Sequence, residues 1–164
     1  MKVAGASAES FLDAPKPSVW AALVYSEDEG VAHDAAERLW RAWSAGNPGT
    51  ERIVLDDDAI KREPSGFFDA LEARSLLGDT RLIRIRTTGE KIAALLAKAL
   101  QEADRRSGVF EAKLIVTSGR LPAKSKLRQA FEGATTAAAI GLNADSASDI
   151  RNLVKQMLDA SQCP

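Results

Sequence analysis

Three consecutive carboxylates, Glu27, Asp28 and Glu29, close the first apolar run of this chain, and Asp56, Asp57 and Asp58 close the second. The second cluster suggests a divalent cation at first sight, because hard cations take carboxylate oxygens. For the second cluster, an acidic turn at a strand end that caps the next helix is the commoner explanation. His33 is the only histidine and Cys163 the only cysteine. One of each leaves no disulfide framework and no Cys/His zinc site. A Ser-His-Asp arrangement would have to use His33, which falls early on a helix and reads as a solvated or capping residue. Arg120, Lys124, Lys126 and Arg128 gather around a helix start and could touch phosphate; most such clusters are solvated surface. No catalytic constellation is found, and neither a cofactor nor a metal is expected.

The elements that must position these groups start at residue 19. Val19, Trp20, Ala21, Ala22, Leu23, Val24 and Tyr25 form a nearly continuous apolar run, the pattern of a strand buried on both faces of a parallel sheet. After the acidic turn and Gly30, apolar residues recur at helical spacing at Val31, Ala35, Leu39 and Ala42, with Trp40 and Trp43 beside them. Strand, loop and helix in this order are where a nucleoside triphosphatase places its phosphate loop. The loop chemistry here is wrong. With Gly30 as the second glycine of G-x-x-x-x-G-K-[ST], Tyr25 stands for the first glycine, and Val31 and Ala32 stand for the lysine and the hydroxyl residue. Glu27, Asp28 and Glu29 would repel a phosphate.

The length of 164 residues suits one compact domain and the start of another. The composition is 45% hydrophobic and 27% charged, and Lys+Arg 22 against Asp+Glu 23 gives a net charge of −1. No global field argues for nucleic acid. Met1 to Ser10 is small and polar where a signal peptide would need an apolar core, and no run approaches a membrane span. The chain reads as cytoplasmic.

Alternating patterns continue to the end. Phe11 and Leu12 belong to a short segment of helical character stopped by Pro15 and Pro17. Strands are predicted at 52–55, 81–86, 113–117 and, weakly, 137–140. Helices are predicted at 67–77, around Ile92 to Ala103, at 124–131 and at 146–158. The expected fold is α/β: a five-stranded parallel sheet with helices on both faces, joined by right-handed crossovers. Residues 1–143 form that domain. Residues 144–164, with Ile150, Leu153, Val154, Met157 and Leu158 on one helical face, read as the first helix of a following domain.

Two further features bear on partners. Arg84 and Arg86 share one face of a strand near its carboxyl end, either paired with the acidic turns or offered to a partner; both readings stay open. On an ideal helix at ~100° per residue, Phe67, Phe68 and Leu71 mark the buried side, and Leu76 and Leu77 point away from it. Gly78 follows as a C-cap. Adjacent exposed leucines at a helix end would plug a partner's pocket. The equal alternative is a shorter helix whose turn folds both leucines inward.

Several of these segments, taken in order, resemble the amino-terminal part of the delta subunit of the bacterial DNA polymerase III clamp loader. They are Leu23, Val24 and Tyr25 with Asp28, Glu29 and Gly30; then Ser75, Leu76, Leu77 and Gly78 leading into Arg81, Leu82, Ile83, Arg84, Ile85 and Arg86. Ser125, Lys126, Leu127 and Arg128 with Phe131, followed by Ala137, Ala138, Ala139 and Ile140, complete the set. The resemblance implies an AAA+-like (P-loop-like) first domain with a degenerate nucleotide site that neither binds nor hydrolyses ATP. It implies a non-catalytic subunit of a DNA polymerase holoenzyme that binds the ring-shaped beta sliding clamp and helps open it. Family members carry Ser-Leu-Phe-Gly, whose apolar pair enters a pocket on the clamp; here that pair is Leu76 and Leu77, with Leu77 in place of phenylalanine. The family's helical lid and collar domains, through which it meets other clamp-loader subunits, would follow this chain. Contact with DNA is expected only indirectly or weakly, and none with membrane. The second expectation, from a different class, is a degenerate or generic α/β domain binding a small ligand at the carboxyl ends of its strands.

Overall fold

A computed structural model of the chain describes residues 1–47, 49–74, 76, 80–106, 110–143, 154–155 and 157–161. Between residues 2 and 142 these form six strands and six helices: β1 Lys2–Val3, α1 Ala6–Asp13, β2 Ala21–Ser26, α2 Glu29–Ser44, β3 Glu51–Asp56, α3 Asp57–Arg62, α4 Pro64–Glu72, β4 Arg81–Arg86, α5 Ala93–Arg105, β5 Ala112–Ser118, α6 Lys126–Gly133 and β6 Ala137–Leu142. The strands form one all-parallel sheet in the order β1-β6-β2-β5-β4-β3. The fold is α/β, an open sheet of the P-loop-like kind, with six strands instead of the five expected. The extra strand is β1, two residues inside a segment too short and polar to show a period. It is held in place by pairing with β6 and by the Met1 ammonium, which donates to the carbonyls of Phe131, Ala134 and Ala137 at 2.8–2.9 Å.

Side chains alternate between two apolar layers, as parallel strands require. Leu23, Ile83, Ile85, Leu114 and Val116 face Phe67, Leu71, Leu96, Leu127 and Phe131 of α4, α5 and α6. Ala22, Val24, Leu82, Ile115 and Ile140 face Phe11, Leu12, Ala35, Ala36 and Leu39 of α1 and α2. Trp20 lies fully buried where β2 begins, edge-on to Phe110 with ring centres 4.8 Å apart. The following-domain reading rests on residues 144–164. Of that stretch, residues 154–155 and 157–161 are helical with Val154, Met157 and Leu158 exposed, while Ile150 and Leu153 lie outside the described residues.

One close approach joins β2 to β6. A Cβ at Gly141 would stand 2.7 Å from Tyr25 Oη and 2.8 Å from Cζ, and Arg128 covers the Tyr25 ring at 5.2 Å. The ring is hemmed in, so Gly141→Ala should cost about 1–3 kcal/mol by overpacking. In a Tyr25→Ala background the same change should cost less than about 0.5 kcal/mol, since Ala is otherwise the better strand residue. Thermal melts of the two pairs measure the difference.

Candidate functional site

Strand β2 sits inside the sheet and hands the chain to α2 at the carboxyl edge, the place where a phosphate loop would lie. The sequence there folds into a self-satisfied turn. Asp28 is the N-cap of α2, its Oδ1 accepting from Gly30 N at 2.8 Å and Val31 N at 3.3 Å. Ser26 Oγ, buried beneath, accepts from Asp28 N at 3.2 Å. The helix-start amides that would bind a phosphate are therefore already bonded to a carboxylate of the chain itself. Glu27 pairs with Arg120 at 3.2 Å and Glu29 with Arg86 at 2.9 Å. Burial pushes the Tyr25 phenol up, opposed by the Arg128 charge and aided by that of Glu132. Arg86, Thr87 and Thr88 at the end of β4 and just after it, and Thr117, Ser118 and Gly119 at the end of β5 and just after it, include no carboxylate to place a cation or a water. Titration with magnesium-ATP should give no saturable heat; a micromolar dissociation constant would overturn this reading of the turn.

The second acidic cluster is structural. Asp56 caps α3, accepting from Ala59 N at 2.8 Å. Asp57 is buried and its Oδ2 accepts from Thr88 N at 3.1 Å and Thr88 Oγ1 at 3.2 Å. Among the described residues no group of three or more His, Cys, Asp and Glu side chains could hold a metal ion. The basic cluster is broken up by pairing. Arg120 goes to Glu27, and Arg128 to Glu132 at 2.7 Å and to the Leu121 carbonyl at 3.2 Å, while Lys124 and Lys126 are exposed.

The structure brings together residues that the sequence keeps apart. Register sets Arg52 and Val54 of β3, Arg84 and Arg86 of β4 and Thr117 of β5 on the α1/α2 face of the sheet, because Val54 is level with Arg84 and Arg84 with Ile115. Arg84 is buried; its Nη1 donates to Glu37 Oε1 on α2 and its Nη2 lies 2.9 Å from His33 Nδ1. Arg52 Nη2 reaches the same Glu37 oxygen at 2.9 Å, and its guanidinium lies 4.8 Å from the centre of the Trp40 ring. Burial pushes the Glu37 carboxyl up. The bonds and charges of Arg52 and Arg84 outweigh it and hold the group below its usual range. Of the two arginines left open above, Arg86 pairs with the acidic turn and Arg84 with a helix carboxylate. His33 is not a cap; it is exposed, as a solvated residue is, and its Nδ1 also meets Arg84. No sequence signal marked Glu37, since one carboxylate on a polar helix face looks like any other. His33, Arg52, Val54, Arg84, Arg86 and Thr117 line a cleft of about 660 Å³ that runs from the start of α2 over β3 and β4 to the ends of β4 and β5.

In the sequence the leucine pair falls between α4 and β4. Helix α4 ends at Glu72, with Ala73 N still bonded to Asp69 O at 2.9 Å. It does not run on to residue 77, so the helical wheel does not govern Leu76. Pro64 at the first turn starts the helix, and the extended backbone of Ala73 ends it. Leu76 nevertheless stands in the turn before β4 at 103% of full exposure. Leu77, like Ser75 and Gly78, lies outside the described residues. Comparison of the sequence with protein-family models and with curated proteins gives no match. No described helix is long and apolar enough to cross a membrane.

Proposed function

We propose that this chain is a non-catalytic clamp-loader module, similar to the amino-terminal domain of the delta subunit, that binds the beta sliding clamp and helps open it during DNA replication. The observation that supports it best is Leu76. A large apolar side chain with its whole surface in water serves no packing purpose within the domain, and it falls in the segment that matches the family's clamp-binding loop. The self-capped turn at α2 supports the non-catalytic part, because a rigid domain whose phosphate cradle is filled can act as a lever without turnover. Leu76 and Leu77 would supply the apolar anchor. Co-elution with the cognate sliding clamp in size-exclusion chromatography tests the reading; two separate peaks at micromolar concentrations of both proteins would count against it. The cleft over β3 and β4 favours the other class, an α/β domain that takes a ligand at the carboxyl ends of its strands. The same co-elution discriminates the two.

A further inference from the structure

The face of the sheet that carries α2 is incompletely covered. α2 packs on β2 and β5, and Val54 on the edge strand β3 is left 63% exposed, an apolar floor with charged neighbours. Beside it, the guanidiniums of Arg52 and Arg84 share one carboxylate, that of Glu37. The Arg84 side chain is only 10% exposed, so its field is poorly screened by water. Arg86 has Glu29 as partner, but both side chains are over 70% exposed, and such a pair exchanges partners at little cost. Among the described residues β3 is also the last strand of the sheet, so one row of its backbone donors and acceptors has no neighbouring strand there.

We propose that this cleft is a docking groove for an acidic segment of a partner protein, taken up in extended form along β3. The chemistry on both sides is matched. A strand added to the edge presents every second side chain to the same face, next to Arg52 and Val54 of β3, with Arg86 of β4 one strand further in. Carboxylates at alternate positions compete with Glu37 and Glu29 for the more exposed guanidiniums of Arg52 and Arg86, and an apolar residue between them packs beside Val54. The opposing charges in the groove are few. Glu29 can release Arg86, Glu37 is outnumbered, and Asp56 is turned to Ala59 N as a cap. Charged side chains on an edge strand also guard against unwanted pairing. That role needs neither a buried arginine nor a cleft.

The test uses a fluorescein-labelled, acetylated octapeptide of alternating glutamate and valine, and its twin with glutamine for glutamate, followed by anisotropy at low salt. The glutamate peptide should bind at least ~10-fold more tightly than its twin, as expected from two or three partly screened charge pairs. Arg52→Gln/Arg86→Gln should abolish that preference. Val54→Glu, which leaves every arginine in place, should weaken the glutamate peptide by a similar factor and serves if the double variant unfolds. Leu76→Ala/Leu77→Ala should leave peptide binding unchanged, so the outcome here stands apart from that of the clamp experiment. Equal affinity for both peptides, or no effect of the groove variants, would overturn the proposal. So would tighter binding of a labelled oligothymidylate that is lost in the same variants, which would make the groove a phosphate site.

Discussion

Leu76→Ala/Leu77→Ala should weaken binding of the sliding clamp by at least ~100-fold and move the melting temperature by no more than about 2 °C. Seating two leucine side chains in a pocket is worth roughly 3–6 kcal/mol before the cost of association is subtracted. The lower end of that range, about 3 kcal/mol, corresponds to the ~100-fold loss. Leu76 contributes little to folding, because its side chain is as exposed in the folded domain as in an extended chain. Substitutions at such positions change stability by at most about 0.5 kcal/mol, a shift of roughly 2 °C for a domain of this size. Two measurements are needed, one by surface plasmon resonance against immobilised clamp and one by thermal melting. Unchanged affinity would place the clamp contact elsewhere. A large fall in melting temperature would mean that Leu77 is a core residue.

Asp104→Ala should cost about 3 kcal/mol, the largest expected loss of stability from a single polar side chain here. Asp104 near the end of α5 accepts four hydrogen bonds from the turn that starts β6. They come from Thr135 N at 3.1 Å, Thr135 Oγ1 at 3.0 Å, Thr136 N at 3.1 Å and Thr136 Oγ1 at 2.7 Å. Thr136 Oγ1 in turn accepts from Trp20 Nε1 at 3.1 Å, so one carboxylate ties α5, β6 and the start of β2 together. A hydrogen bond to a charged group contributes about 1.5–3 kcal/mol; partial exposure of the carboxylate keeps the sum of four well below simple addition. Truncation should lower the melting temperature by roughly 6–12 °C.

The pH dependence has a definite sign. Burial pushes the Asp104 carboxyl up, and the bonds from Thr136 and Thr135 more than reverse it, so its native pKa lies below the ordinary range. Glu37 is lowered in the same sense. A group lowered on folding contributes stability that is complete above its unfolded pKa and is lost as pH falls through the native one. Stability should therefore hold near neutrality and decline as pH drops through the usual carboxylate values of about 4 and below. Urea titrations of the wild type and of Asp104→Asn across that window should show a shallower decline in the variant. Parallel slopes would mean that Asp104 carries no folding-linked proton.

Strand β4 was legible to the residue, from Arg81 to Arg86, because a short β-branched and apolar run bracketed by arginines stands there. β2 was legible for the opposite reason: a strand covered on both faces reads as an unbroken apolar run. The departure from a phosphate-loop motif also needed no coordinates, since Val31 and Ala32 stand after Gly30 where the motif has lysine and a hydroxyl residue. β1 and α3 escaped notice; two residues of strand and six of helix are too short for a period to declare itself. The end of α4 was misplaced because an apolar pair after a helix resembles its continuation, whereas the extended backbone at Ala73 ends it.

What the sequence by itself determined is the order of β2 to β6 with α2, α4, α5 and α6 between them, and an acidic turn after β2 without the lysine of a phosphate loop. Those follow from local pattern and from residue chemistry. Only the tertiary structure decided which charges are buried and with whom. Arg84 and Arg86 are equivalent in the sequence, yet one is sealed against Glu37 and His33 and the other stands in water beside Glu29. The difference arises because α2 crosses the sheet over one and merely starts beside the other. That placement is set by packing between segments some fifty residues apart.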